Sequence, residues 1–315
     1  MPEGPEVRKY ADALDQVLTG HTIKSLTART QNARRWLSEN ASRLEGRRVK
    51  SVRSHGKHLI GLIAGGYYFH SHLMMWGRWQ TFTPEPPTEI DRRERARIVV
   101  ASGAAILYSA PIFNVGMGDP YSQVEHLGTL GPDVLPYKGG FRQKEFLTRL
   151  LRDENSNRTI GAALLDQQVL AGLGNYLRAE VLFACRLNPW IKVKDLTRKD
   201  LKCLSINAAA LARRSYLHGA TATDEDRERM KQNPSLVYQP GREYGTRHWV
   251  FRRTNLPCLR CAEPVRQMRQ VTHGTGEDER DRIIYFCQKC QGVEEPFRKQ
   301  PRQRRVRKSP AKRDD

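Results

Sequence analysis

Between Pro5 and Thr19 the residues Val7, Tyr10, Ala11, Leu14, Val17 and Leu18 recur at helical spacing, with Pro5 fit for a first turn and Gly20 for the stop. From Thr22 to about Leu130 the pattern changes to short apolar runs broken by Gly and Asn: Val49–Val52, Leu59–Ile63, Tyr67–Phe69, Ile98–Val100 and Ile106–Tyr108. Such runs predict a β-sandwich or barrel. Residues Ile98 to Gly118 carry no charge, but Gly103, Pro111 and Gly116 interrupt them, so the stretch predicts two buried strands joined by a turn and not a membrane span. Pro132–Gly140, with two Pro and two Gly, reads as an interdomain linker. Helical periodicity then returns over Gln143–Leu151, Ile160–Leu170, Tyr176–Phe183 and Leu196–Leu217, with Thr197 and Asp200 spaced as a capping box. Residues 222–246 are polar and charged, and a mobile loop is expected there.

Charge turns this outline toward a partner. The 315 residues hold 54 Lys and Arg against 34 Asp and Glu, a formal charge of +20. An excess of that size attracts polyanions, nucleic acid foremost. Nine of the cations lie between Arg298 and Arg313 in a tail almost without apolar residues, expected to be disordered unless bound to phosphate. Without that tail the balance is 45 against 32, or +13, so the folded part is basic in its own right. The start has carboxylates at Glu3 and Glu6 where a secretory signal needs cations, and no apolar stretch follows. An intracellular protein with no membrane partner is expected.

Four of the six Cys form two pairs, Cys258-Leu259-Arg260-Cys261 and Cys287-Gln288-Lys289-Cys290, separated by a hairpin-like stretch that ends in Ile283-Ile284-Tyr285-Phe286. A two-residue gap puts both sulfurs on one side of a tight turn, and two such knuckles close a tetrahedron around Zn²⁺. With no His and no open position, one structural zinc is predicted. The 25 residues between the knuckles form a long gap, so His273 to Arg280 should be an exposed insertion. Cys185 and Cys203 fall on apolar helix faces and are expected to be inert core thiols.

Pro2 carries the most specific chemistry. A small second residue favours removal of Met1, leaving a secondary α-amine with a pKa near 7.7–8. Such an amine can attack a sugar C1′; the resulting iminium acidifies the C2′ proton and permits strand cleavage by elimination. Taken alone, a Met-Pro start and acids near a helix start are commonplace.

Four ordered segments add to it. Met1-Pro2-Glu3-Gly4-Pro5-Glu6-Val7 resembles the start of the formamidopyrimidine-DNA glycosylase / endonuclease VIII family of base-excision repair enzymes. Ser54-His55-Gly56-Lys57-His58-Leu59 resembles its β-hairpin lysine segment. Leu164-Leu165-Asp166-Gln167 through Ala171-Gly172-Leu173-Gly174-Asn175-Tyr176-Leu177-Arg178-Ala179-Glu180 resembles its helix–two-turn–helix, and Arg282 stands five residues before Cys287 as in its zinc finger. The matches run from residue 1 to about 292.

The resemblance implies an α+β fold: an N-terminal β-sandwich with a leading helix (1–133), a linker (134–145), a helical DNA-binding domain (146–249), a zinc-ribbon hairpin (250–293) and a basic tail (294–315). It implies a bifunctional glycosylase and abasic-site lyase acting on damaged double-stranded DNA, with Zn²⁺ but no nucleotide cofactor, as a monomer in cytoplasm or nucleoid (nucleus or organelle in a eukaryote). Pro2 would be the Schiff-base nucleophile, Glu3 the acid of ring opening and base release, Lys57 the proton donor of β-elimination, and Arg282 a phosphate clamp in δ-elimination. Asn175 and Arg178 would grip the DNA backbone, Glu6 would support the Pro2 end, and Met75, with Met74 and Trp76, would wedge into the gap left by the everted nucleotide.

Departures bear on the lesion. Ala110-Pro111-Ile112-Phe113-Asn114 stands where relatives that excise oxidised purines carry an Arg-Arg-Phe loop, and Gly161-Ala162 replaces a cation often found before Leu-Leu-Asp-Gln. The phrasing of 170–178 and Gly4 is closer to endonuclease VIII, which favours oxidised pyrimidines. The Thr221–Gly245 segment could still cap a purine. A non-catalytic damaged-DNA-binding zinc protein and a zinc-ribbon RNA-binding protein are the rivals from other classes.

Overall fold

The computed structural model describes residues 2–237, 243–274 and 279–294; the basic tail and the centre of the His273–Arg280 insertion lie outside them. The first helix, α1 (Gly4–Leu18), buries Val7, Ala11, Leu14 and Leu18, and Pro5 sits in its opening turn. Eight antiparallel strands follow: β1 (Ile23–Ala28), β2 (Val49–His55), β3 (His58–Ile63), β4 (Tyr67–His72), β5 (Arg78–Phe82), β6 (Glu94–Val100), β7 (Gly103–Tyr108) and β8 (Ile112–Met117). They make two four-stranded sheets, ordered β1-β6-β7-β5 and β2-β3-β4-β8. The apolar alternation seen in the sequence turns inward to one core, with Phe69, Trp79 and Phe113 in mutual ring contact at 6.0–6.3 Å. The expected pair of strands in 98–118 proves to be two full strands, β7 and β8, and the last three residues of β6.

One helix was not legible in this half. Helix α2 (Gln31–Leu44) fully buries only Ala33, Leu37 and Leu44, so its stripe is too sparse to stand out among Arg, Ser and Asn. A short α3 (Pro120–Gln123) leads toward the second half.

The second half is helical: α4 (Gln143–Leu150), α5 (Ile160–Ala163), α6 (Asn175–Ala184), α7 (Arg198–His218) and α8 (Asp224–Gln232). Thr197 and Asp200 form the capping box that opens α7. The helix expected over Ile160–Leu170 stops at Ala163 because polar side chains capture the backbone beyond it. The Gln167 amide donates to the carbonyls of Leu165 and Leu173, both at 2.8 Å, and accepts from Gly172 N–H at 3.0 Å. Asp166 accepts from Gln168 N–H and pairs with Arg158. The expected mobile loop at 222–246 instead contains α8, capped by Thr223, which seats Met230 against Ala222, Val237 and Leu259; residues 238–242 of that stretch lie outside the described residues.

A two-stranded hairpin, β9 (Val265–His273) with β10 (Arg280–Cys287), and a final turn of helix, α9 (Gln288–Gln291), complete the chain. The helical core is continuous with this hairpin through Ile284, Phe286 and Cys287. Cys185 and Cys203 are not free core thiols: the end of α6 meets α7 with 5.7 Å between their Cα atoms, and the two are joined in a disulfide. Among the described residues no helix is long and apolar enough to cross a membrane.

Candidate active site

The two halves meet around the N-terminus. Glu3 is the N-cap residue of α1, and the Glu6 carboxylate accepts its N–H at 2.8 Å. The Glu3 side chain points the other way, into the second half. There it accepts from the N–H groups of Gly174 (2.8 Å), Tyr176 (2.8 Å) and Leu177 (3.2 Å), the free donors at the start of α6. One residue thus serves two helix N-termini, and it is 3% exposed. This approach requires glycine: a Cβ on Gly174 would overlap the Glu3 carboxyl, and Gly172 adopts φ +101° while its carbonyl accepts from Gly4 N–H at 2.9 Å.

Pro2 stands half-buried immediately before Glu3. Lys57 lies in the tight β2–β3 turn, whose Gly56 is backed against Ala171 and Gly172. Glu3, Lys57, Arg178 and Arg282 share one electrostatic neighbourhood. Burial pushes the Glu3 carboxyl up to about 7, although the Lys57 ammonium and the α6 N–H donors pull it back. Burial pulls the Lys57 ammonium below the ordinary lysine range; Glu3 opposes this, while Arg282 and Arg178 add to it. The arrangement places a carboxyl that holds its proton more tightly than usual and an amine of reduced basicity close to Pro2. These groups suit proton transfers around an electrophilic sugar carbon.

Glu6 accepts from Tyr176 Oη at 3.1–3.2 Å, and that hydroxyl also meets Ser215 Oγ at 3.0 Å, so Glu6 ties the terminal turn to α6 and α7. Asn175 is half-buried at the first position of α6, and Arg282 is exposed on β10. Arg178 corrects the expectation of a DNA contact: it is 0% exposed and both terminal guanidinium nitrogens donate to protein acceptors, so it offers no surface to a phosphate.

The expected wedge projects from the β4–β5 connection. Leu73 is buried, and Gly77 N–H closes the loop on its carbonyl at 2.8 Å, leaving Met74, Met75 and Trp76 exposed at 40%, 52% and 79%. Ile112 lies beside this ridge, paired with His72 across β4 and β8. Residue patterns did not single out the histidines between ridge and Lys57. His58 Nδ1 meets His70 Nε2 at 2.9 Å, and His72 packs edge-on against His58. Burial pushes His58 down to about 2 and His70 and His72 to about 4, so all three are neutral at physiological pH. The available signal was His70-Ser71-His72 in a strand directly paired with the Lys57-His58 strand.

The four sulfurs of Cys258, Cys261, Cys287 and Cys290 lie within 4.8 Å of one another. The pairs Cys258–Cys290 and Cys261–Cys287 are 3.9 and 3.5 Å apart. Zinc–sulfur bonds of about 2.3 Å in a tetrahedron require sulfurs about 3.8 Å apart, so the donor set fits a metal of that kind.

The comparisons agree with this geometry. Residues 1–111 match the formamidopyrimidine-DNA glycosylase N-terminal domain, and residues 130–226 match the formamidopyrimidine-DNA glycosylase H2TH domain. The chain is 31% identical to Endonuclease 8 of Salmonella schwarzengrund over 291 residues, 92% of this chain and all of the relative. Endonuclease 8 of Klebsiella pneumoniae is 29% identical over the same span. The fold matches that of Lactococcus lactis Fpg solved with abasic-site DNA, with a TM-score of 0.70 and 21% identity over 92% of this chain and 99% of that one. The chain therefore belongs to the formamidopyrimidine-DNA glycosylase / endonuclease VIII family, DNA glycosylases with abasic-site lyase activity that serve DNA repair, and lies close to its endonuclease 8 members.

Proposed function

We propose that this enzyme excises oxidised bases, pyrimidines foremost, from duplex DNA and then cuts the strand by β,δ-elimination through a Schiff base on Pro2. The observation that carries the reading is the seating of Glu3 at the start of α6, beside Pro2 and in electrostatic contact with Lys57. The Pro2 nitrogen attacks C1′ of an everted nucleotide and the base leaves. Glu3 supplies a proton to O4′ as the ring opens to the iminium. Loss of a C2′ proton to water breaks the C3′–O bond, with Lys57 as proton donor to the departing phosphate; loss of a C4′ proton to water then breaks the C5′–O bond, with Arg282 on that phosphate. Addition of water to the iminium releases the sugar fragment as an aldehyde and returns Pro2.

Asn175 and Arg282 hold the backbone, and Met75, flanked by Met74 and Trp76, occupies the vacated stack. Zn²⁺ on the four thiolates would fix the hairpin that carries Arg282 and has no place in the chemistry. Pyrimidine preference is supported by the absence of cationic side chains from Ala110 to Asn114. The protein acts as a monomer in the compartment that holds the DNA.

Borohydride trapping on an abasic-site duplex tests the nucleophile. Wild type should form a covalent adduct and Pro2→Gly should lose it; an undiminished adduct in the variant, or a blocked N-terminus in active enzyme, defeats the proposal. A cleavage panel of thymine glycol, dihydrouracil, 8-oxoguanine and an abasic site tests the lesion class. Strong activity on 8-oxoguanine with none on the pyrimidines would reverse the preference.

A further inference from the structure

Arg178 and Arg253 are the bulkiest fully buried side chains among the described residues, and Arg178 is 0% exposed. A guanidinium withdrawn from water carries a large desolvation cost, and an apolar side chain would fill the same space without it. Its partners are neutral and come from four elements. NH1 donates to the Gly161 carbonyl of α5 (3.1 Å) and to Gln270 Oε1 of β9 (3.2 Å). NH2 donates to Asn175 Oδ1 of α6 (2.6 Å) and to the Ile283 carbonyl of β10 (2.9 Å). Nε has no partner among the described residues.

Two of these bonds have a polarity that matters. With Asn175 Oδ1 taken by Arg178, the outward groups of that amide are its two N–H donors, the sense that an anion requires. Ile283 follows Arg282 in β10, and Gln270 is the residue paired with Arg282 across the hairpin. Arg178 therefore grips the strand at the next residue and the partner strand at the facing one. Gln270 is itself anchored to the Pro189 carbonyl at 2.9 Å.

We infer that Arg178 is a positioning residue: it turns the Asn175 amide donor-outward and locks the Arg282 strand to α6, so that a helix start and a zinc hairpin act as one phosphate-binding surface. The inference rests on the proposed roles of Asn175 and Arg282 on the DNA backbone. It gives this motif arginine a task different from the phosphate contact that a surface cation would make.

The test is equilibrium binding of a duplex carrying a tetrahydrofuran abasic analogue across a salt series, with zinc content and thermal melting of each variant as controls. Folded Arg178→Met should bind about tenfold to a hundredfold more weakly. Its slope of log affinity against log salt should be shallower by about one, although the residue never meets solvent. Added to Asn175→Ala or Arg282→Ala, Arg178→Met should cost far less than it does alone, because the groups it serves are already gone. A purely structural role would lower the melting temperature and leave the slope unchanged. Wild-type affinity and slope in folded Arg178→Met, or full additivity with both partners, overturns the inference. Should Arg178→Met not fold, Arg178→Lys decides: it keeps a charge but cannot hold four acceptors, and must weaken binding by about fivefold or more; wild-type behaviour in that variant overturns the inference equally. Wild-type enzyme that fails to prefer the abasic duplex over undamaged DNA defeats the functional reading itself, whatever the variants do.

Discussion

A Glu3 carboxyl pushed up to about 7 should give the proposed excision and strand-cleavage steps different pH profiles. With its carboxyl pushed up to about 7, Glu3 is mostly protonated below that pH and mostly ionised above it. In the proposed mechanism base excision needs that proton and should fall as pH rises through about 7. There Pro2 must lose its own proton to attack, with an unperturbed α-amino pKa of about 7.7–8, and so would supply the rising limb. Single-turnover excision should follow a narrow bell, whereas cleavage of a preformed abasic site should keep only the rising limb. Glu3→Gln should lower excision by about a hundredfold or more, in line with loss of a general acid, and spare abasic-site cleavage. A flat wild-type excision profile between pH 6 and 8.5 would contradict this assignment. Gly174→Ala should reproduce much of the Glu3→Gln defect without touching a titratable group, because its methyl would evict the carboxylate from the start of α6; unaltered excision in that variant would show that the seat is dispensable. The Pro2, Glu3 and Lys57 positions were legible because each sits in a short motif. The burial of Arg178 was not: nothing in Asn-Tyr-Leu-Arg says that the arginine turns inward, since that depends on β9 and β10 arriving about 100 residues later.

At the scale of elements, legibility followed the density of the apolar stripe. Helices α1 and α7 and strands β3, β4, β6 and β7 announce themselves through regular spacing or unbroken apolar runs. Helix α2 buries too little to do so, and α8 anchors chiefly through Met230, so its charged sequence looks like a loop. The Cys185–Cys203 bond joins two helices whose mutual approach no single-helix periodicity encodes. The proposed wedge at Met74–Trp76 belongs to this scale too. Its tip is held by a closed Leu73–Gly77 turn, so truncating a side chain should not unfold it. Met75→Ala and Trp76→Ala should retain thermal stability within about 0.5 kcal/mol, as exposed positions do. Both should slow excision of a base still paired in duplex far more than cleavage of an abasic site in a single strand, where no stack has to be held open. Fluorescence of 2-aminopurine placed next to the lesion would report the eversion step directly. Equal losses on duplex and single strand would assign the loop a different task.

Over the whole molecule, the halves are fastened at several points around the site. Tyr216 Oη donates to Asp12 at 2.6 Å, joining α7 to α1. The linker residue Tyr137 lies between the guanidinium groups of Arg8 and Arg53, at 3.2 and 4.8 Å from its ring. Glu3 and Gly4 bind the α5–α6 turn directly. The proposed damage-recognition site thus belongs to a braced body with its own basic charge, whereas the nine cations from Arg298 to Arg313 follow, in sequence, every motif that builds the site. Ending the chain at residue 297 lowers the net charge from +20 to +13. Because phosphate neutralisation is independent of sequence and of damage, this truncation should weaken binding to undamaged and abasic duplexes by the same factor and flatten the salt dependence of both. The ratio of the two affinities and the single-turnover rate at saturating enzyme should remain those of the full chain. Binding titrations of both duplexes at three salt concentrations check this, and a ratio that collapses on truncation would mean that the tail takes part in finding the lesion and not only in holding the strand.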